Sequence, residues 1–301
     1  MSLMKRVAPY VAIARGRFLL LPVTLVVAGA GAAAYEGAFH WGRTLLALAG
    51  LVLMHAAVNA LNEAGDMATG IDLKTVPTPF SGGTKTLPRG LLSVRAARNF
   101  GYACVAVAAL IGLWFALRLD PLFLVLLVAG AVSVLFYTPV FARSGVGELF
   151  AGLGLGLLPV WGAAWVQGLR PGPAALWAGV PAFFMTFNLL FLNEFPDEEA
   201  DRSGGRRNLV LLMGRKRAAL AYAAAGILTP LSIVAAVLLG AFPALALVAV
   251  LPSLFLVPPL AWAFGDTSKP VPIPAMGANV VWNLATNVVL GLALALAIAM
   301  R

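Results

Sequence analysis

Asn193, Asp197 and Asp201 stand at i, i+4 and i+8. On a helix that spacing puts an amide and two carboxylates on one stripe. Asn62 and Asp66 repeat the i, i+4 step, and Asp72 follows six residues later. A continuous helix would point Asp72 away, but Gly70 gives the chain a place to unwind and bring it back. Of the 12 acidic residues, eight lie in these two segments: Glu63, Asp66, Asp72, Glu194, Asp197, Glu198, Glu199 and Asp201. Such hard oxygen ligands suit Mg²⁺, which keeps part of its water and completes its shell with phosphate oxygens. Two facing anionic clusters also need cations between them. Solvated loop acids are the plainer alternative, and it is the reading adopted for Glu198 and Glu199.

The same segments carry Lys74, Lys85, Arg89, Arg202, Arg206 and Arg207. Basic residues beside metal-binding carboxylates suggest a polyanion held by both, most simply a diphosphate. Gly82 and Gly83 let backbone N–H groups approach phosphate oxygens. Lipid headgroups are the other ligand of cytoplasmic basic residues, and that reading is preferred for Arg215, Lys216 and Arg217. No Ser-His-Asp set is present. The single cysteine, Cys104, lies in an apolar run and excludes a disulfide framework. His55 is read as a packed or hydrogen-bonded side chain.

The elements that position these residues are membrane helices. The chain is 61% hydrophobic and 11% charged, against about 25% charged in soluble domains. Apolar runs of spanning length, about 20 residues, recur near 18–35, 44–62, 96–117, 121–139, 147–167, 173–192, 217–239, 241–264 and 277–299. Residues 1–17 read as a short interfacial helix rather than a signal peptide, because the following apolar stretch is long enough to span. The fold expected is all-α, with nine transmembrane helices in two four-helix pseudo-repeats plus one, around a central cavity, in one domain over 1–301. Residues 63–95 and 193–216 are expected as its active-site loops. With the N-terminus cytoplasmic, 17 of the 21 basic residues fall in cytoplasmic segments, all but Arg43, Arg118, Arg170 and Arg301. That asymmetry follows the positive-inside rule and puts both acidic clusters on the cytoplasmic side, with the C-terminus outside. It also accounts for the net charge of +9 without nucleic acid.

A diphosphate at the mouth of an apolar membrane cavity suggests a polyprenyl diphosphate. Mg²⁺ would neutralise the leaving diphosphate and ease C–O ionisation to an allylic cation. Trp161, Trp165, Phe183, Phe184 and Phe187 are candidates to line a cation-stabilising cavity, with packing as the plainer alternative. A transporter with a midplane ion site is the rival of another class, and clustering of the acids at one membrane face argues against it.

At these residues the sequence resembles the UbiA superfamily of intramembrane prenyltransferases, over almost the whole chain. The long last gap of Asn62-x3-Asp66-x5-Asp72 is similar to the 1,4-dihydroxy-2-naphthoate prenyltransferase branch. So are Ser81-Gly82-Gly83-Thr84-Lys85, Gly90-Leu91-Leu92-Ser93, Tyr137-Thr138-Pro139 and Gly145-Val146-Gly147-Glu148-Leu149. The resemblance implies a bacterial or archaeal membrane enzyme of quinone or related lipid biosynthesis, transferring a polyprenyl group to an acceptor, an aromatic one in that branch. It implies two Mg²⁺ ions bound by Asn62, Asp66, Asp72, Asn193, Asp197 and Asp201. Lys85, Arg89, Arg143 and Arg206 would contact the diphosphate, and Tyr137 would face the prenyl chain or the cation. A terpene cyclase of the same superfamily is the close alternative. The sequence departs from the family pattern at Glu63, which replaces an Asp, and at Arg206, which replaces a Lys. Asn193-Glu194-Phe195-Pro196-Asp197 lacks the basic residue common before the second aspartate pair in the naphthoate branch.

Overall fold

The computed structural model describes residues 3–300, with side chains from residue 6. Residues 1–2 of the expected interfacial segment, the Lys5 side chain and Arg301 lie outside the described residues. In chain order the helices are α1 (Leu3–Ile13), α2 (Leu20–Tyr35), α3 (Trp41–Thr69), α4 (Ile71–Lys74), α5 (Val94–Arg118), α6 (Phe123–Leu135) and α7 (Ala142–Ser144). They continue as α8 (Gly147–Gly152), α9 (Leu158–Trp165), α10 (Pro173–Ser203), α11 (Leu209–Met213), α12 (Arg215–Leu238), α13 (Val257–Phe264) and α14 (Ile273–Leu296). No strand occurs among the described residues.

Eight helical segments are long and apolar enough to cross a membrane, and a bent pair brings the number to as many as nine. The expected span over 121–139 is that pair. α6 and the segment Tyr137–Ser144 meet at 56°, through a π-helical turn at Tyr137–Phe141 that contains Pro139. A second π-helical turn, Leu153–Leu157, joins α8 to α9. Turns of this kind are frequent at functional sites.

Two helices run further than their apolar stretches. α3 extends to Thr69 and α10 to Ser203, so both acidic motifs begin on helix, as their i, i+4 spacing implies, and the helices end later than residues 62 and 192, where the expected spans stop. Asn, Glu and Asp end the hydropathic signal without ending the backbone ladder. α10 opens at Pro173, where the missing N–H costs nothing. The Glu36 carboxylate at the end of α2 accepts hydrogen bonds from Gly172, Ala174 and Ala175 N–H at 3.1, 2.7 and 3.2 Å.

Small residues let the helices approach closely. Gly31 of α2 meets Gly291 of α14 so tightly that a Cβ on either would overlap the other helix's backbone. Buried polar side chains join helices in the apolar interior. Tyr222 Oη donates to Asn279 Oδ1 at 2.9 Å, and Asn188 Nδ2 donates to the Tyr222 carbonyl at 3.0 Å. The outward faces of α5 and α6 are apolar and exposed, as Leu110, Leu117, Val125 and Val128 show. Such faces suit a lipid surround.

Candidate active site

The end of α3 presents Asn62 and Asp66 one turn apart, with Asn62 Nδ2 donating to Asp66 Oδ2 at 2.9 Å. Gly70 stops the helix in the left-handed region, at φ 78°. The single turn of α4 then carries Asp72 back toward the same space. The loop after α4 closes over it. Gly83 sits against the Asp72 carboxylate at φ +72°, and a Cβ there would run into Asp72 Oδ1. Gly82 donates its N–H to Asp197 Oδ2 at 3.2 Å, tying this loop to the second motif on α10. Thr78 and Ser81 brace the turn through a 2.9 Å hydroxyl contact.

Asn62, Asp66, Asp72, Asn193, Asp197 and Asp201 all line one cavity of about 160 Å³, together with Arg206 and Tyr137. Its deeper wall is mostly apolar, with Leu21, Val58, Leu155, Leu189 and Leu190, and includes the polar side chains of His55, Asn59 and Thr186. The space therefore has a strongly polar mouth and a largely apolar floor.

Arg206 spans the two motifs. Its Nη2 donates to Asp66 Oδ1 at 2.6 Å and to Asn62 Oδ1 at 2.8 Å. Its Nε lies 3.6 Å from Asp201 Oδ1, and Asn208 Nδ2 donates to Asp201 Oδ2 at 2.9 Å. Burial alone would lower the Arg206 pKa, but the Asp66 and Asp201 carboxylates outweigh it and hold the guanidinium above its ordinary value. Asp72 has less compensation. Burial first, then the charges of Glu63 and Asp66, pushes its carboxyl up to about 7.

Other residues named from the sequence lie elsewhere. Lys85 does not line the cavity. Its ammonium donates to the carbonyls of Asp72 and Thr75 and to Thr75 Oγ1, the last two at 2.7 and 2.6 Å. Arg89 and Arg143 are exposed and are also absent from the lining. Trp161, Trp165, Phe183, Phe184 and Phe187 do not line it either; the aromatic rings that do are Phe18, Phe80, His55 and Tyr137. Glu198, read as a solvated acid, pairs with Arg202 at 2.9 Å and with Arg215 at 3.1 Å. Arg215, assigned to headgroups, also donates to the Thr267 carbonyl at 2.7 Å and so fixes the 266–269 turn.

Sequence reasoning missed the roles of Glu63 and Arg15. Glu63 is fully buried and accepts from Thr84 N and Oγ1 at 2.7 and 2.9 Å. Arg15 reaches it at 3.3 Å and lines the cavity. The signal was available: Glu63 follows Asn62 by one residue, so on a helix it faces away from the Asn/Asp stripe.

The donor set fits a divalent cation. Asp72 Oδ2 and Asp197 Oδ1 are buried without a hydrogen-bond partner among the described residues, a costly condition for carboxylates unless a cation is nearby. Among the described residues no three acidic, imidazole or thiol side chains converge on one point. An ion here would complete its shell with water and substrate oxygens, as Mg²⁺ commonly does.

Residues 20–284 match the model of the UbiA prenyltransferase family. The chain is 30% identical over 230 residues to a 1,4-dihydroxy-2-naphthoate octaprenyltransferase of Mycobacterium tuberculosis, covering 74% of this chain and 77% of that one. It is also 30% identical over 248 residues to a digeranylgeranylglyceryl phosphate synthase of Natronomonas pharaonis, covering 78% and 82%. The solved structure of a UbiA homolog from Archaeoglobus fulgidus bound to GPP and Mg²⁺ superposes with a TM-score of 0.71 at 18% identity, covering 95% of this chain and 99% of that one.

Proposed function

From the premise that the chain belongs to the UbiA prenyltransferase family and is a membrane-embedded prenyltransferase, we propose that it ionises a polyprenyl diphosphate in a Mg²⁺-dependent step. The prenyl group passes to an acceptor, an aromatic ring in the reading favoured by the naphthoate relative. The observation that carries this is the single cavity in which both Asn/Asp motifs and Arg206 face an apolar floor.

Asn62, Asp66 and Asp72 on one side, and Asn193, Asp197 and Asp201 on the other, would hold two Mg²⁺ ions. Bound there, Mg²⁺ neutralises charge on the departing diphosphate. Arg206 adds a guanidinium fork to the diphosphate oxygens, exchanging part of its contact with Asp66. The Gly82–Gly83 turn lines the cavity, and the Gly82 N–H holds the Asp197 carboxylate in place for the ion. The apolar floor seats the first isoprene units and keeps water from the allylic cation. Tyr137 presents its ring to that cation. The C–O bond breaks with its electron pair going to diphosphate, and the acceptor supplies the pair for the new bond and loses a proton or its carboxylate. Lys85 serves by holding the α4 turn that carries Asp72, and Arg89 and Arg143 stand outside the cavity as a reserve of positive charge for the incoming diphosphate. Both motifs face the cytoplasm in this reading, and the whole chain forms one membrane-embedded domain.

Purified protein given geranylgeranyl diphosphate, Mg²⁺ and 1,4-dihydroxy-2-naphthoate, with products identified by mass, tests the reaction. A prenylated naphthalene product is expected. A cyclic hydrocarbon or cyclic alcohol formed without acceptor would instead make the protein a cyclase.

A further inference from the structure

The Gly145–Leu149 motif supplies no side chain to the active-site cavity, yet it carries a fully buried carboxyl, Glu148. Ionisable groups inside a membrane protein are costly, and they are usually functional. Glu148 Oε1 accepts the N–H of Leu209, the first residue of α11. Its carboxyl neighbour is Glu194, which lines the cavity. Two further hydrogen bonds hold the chain just before Leu209. Arg207 N–H donates to the Ala142 carbonyl at 3.1 Å, and Arg206 N–H donates to the Asp201 carbonyl at 2.9 Å. Packing closes the same joint. Gly145, at φ +83°, leaves room for the tip of Leu212, which a Cβ would strike. The rings of Phe141 and Phe150 stack at 3.5 Å across the corner between α7 and α8.

This corner, residues 137–148, touches both motifs. At its start Thr138 Oγ1 donates to Asn62 Oδ1 at 3.3 Å, and the Thr138 methyl packs against Gly65. At its end Glu148 fixes Leu209, three residues after Arg206. Residues 206–208 belong to no helix, so no helical ladder fixes the backbone that carries the guanidinium. A long side chain on a loose segment would lose its aim to conformational entropy. The Asp201 and Ala142 carbonyls and the Glu148 carboxyl take the place of that ladder, and Arg206 reaches Asn62 and Asp66 from a fixed root.

We infer that Glu148 is the positioning residue for Arg206. By holding Leu209 it sets where the guanidinium points, toward Asp66 in the structure and toward the diphosphate in the reaction. The inference rests on the prenyltransferase reading and extends the site to a residue that touches no substrate.

The test uses the purified full-length protein in detergent and Mg²⁺-dependent binding of two probes, geranylgeranyl diphosphate and inorganic pyrophosphate. Glu148→Ala should weaken both by about fivefold to tenfold, because the loss falls on the diphosphate they share. Glu148→Gln keeps the accepting oxygen, places a donor beside Glu194, and should restore most of the affinity. Leu209→Pro deletes the same hydrogen bond from the other side. Proline suits the first position of a helix, and Asn208 before it is already extended, as a residue preceding proline must be. That variant reads the bond even where Glu148→Ala fails to fold. In an Arg206→Met background neither Glu148→Ala nor Leu209→Pro should weaken binding further. The link is also read without ligand. In EDTA the double variant Glu148→Ala/Arg206→Met should melt close to the less stable single variant, because changes that act through one another do not add. Parental binding by Leu209→Pro, equal losses in the parent and Arg206→Met backgrounds, or melting losses that add in full would each overturn the inference. So would Glu148→Gln binding no better than Glu148→Ala, or a loss confined to geranylgeranyl diphosphate, which would place the effect on the prenyl tail. Failure of the unsubstituted protein to bind either probe would count against the prenyltransferase reading instead, and the melting temperatures would then decide the role of Glu148.

Discussion

Arg206 Nη2 stands 2.6 Å from Asp66 Oδ1, joining the basic turn after the second motif to the first motif 140 residues earlier. Both side chains are about nine-tenths buried. The guanidinium thus supplies the positive charge that the facing carboxylates require, and it stands where a diphosphate would bring its own cations.

Replacing Arg206 by Met should therefore destabilise the metal-free protein by about 3–5 kcal/mol, the usual cost of stripping one partner from a buried ion pair. Mg²⁺ should return part of that stability. Thermal unfolding with and without Mg²⁺ reads this directly. A variant as stable as the parent in EDTA would show that the pair contributes nothing to folding.

Gly83→Ala places a methyl against the Asp72 carboxylate at a positive φ. Backbone strain alone costs about 1–2 kcal/mol, and Asp72 must shift. The expected outcome is a raised Mg²⁺ requirement for turnover with modest loss of stability. An unchanged Mg²⁺ half-saturation would mean that Asp72 is idle in metal binding.

Glu63 belongs to the scaffold in this structure, because its carboxylate is consumed by Thr84 and Arg15. Glu63→Ala should lower stability by about 1–3 kcal/mol, the cost of leaving buried polar groups unpaired, and Glu63→Gln should lower it less. Mg²⁺ half-saturation should move little in either. A large shift in Glu63→Gln would restore the metal-ligand role that the family pattern assigns to the position after Asn62.

These residues show where sequence reasoning reached and where it stopped. The stripe Asn193, Asp197, Asp201 was legible because helical periodicity is local, and so was the unwinding at Gly70, because glycine favours positive φ. Helix ends were less legible. α3 and α10 continue past the point where hydropathy falls, since backbone hydrogen bonding is indifferent to side-chain polarity. The break between Leu135 and Tyr137 was missed because the apolar run continues across it. Lys85 shows a further limit: charge type suggests a phosphate ligand, but three oxygens of its own loop claim the ammonium. Long-range pairing of that kind depends on tertiary geometry.

Topology carries its own test. Lys74→Cys and Arg202→Cys, each in a Cys104→Ala background, place a thiol beside each motif, and Arg118→Cys places one at the far end of α5. An impermeant maleimide applied to intact cells should label only the Arg118→Cys variant. Labelling of either motif position from outside would reverse the orientation inferred from the basic residues.

The central claim is that both motifs serve one metal-dependent ionisation. Its most direct measurement is the rate of diphosphate release from labelled geranylgeranyl diphosphate, with acceptor and Mg²⁺, in Asp66→Asn, Asp197→Asn and the double variant. Each single change should slow release by at least about 100-fold, as loss of a charge-stabilising group typically does, and the double variant should fall little further, because residues acting as a unit are not additive. EDTA should stop release in the unsubstituted protein. A full rate in either single variant, or release insensitive to EDTA, would contradict the account.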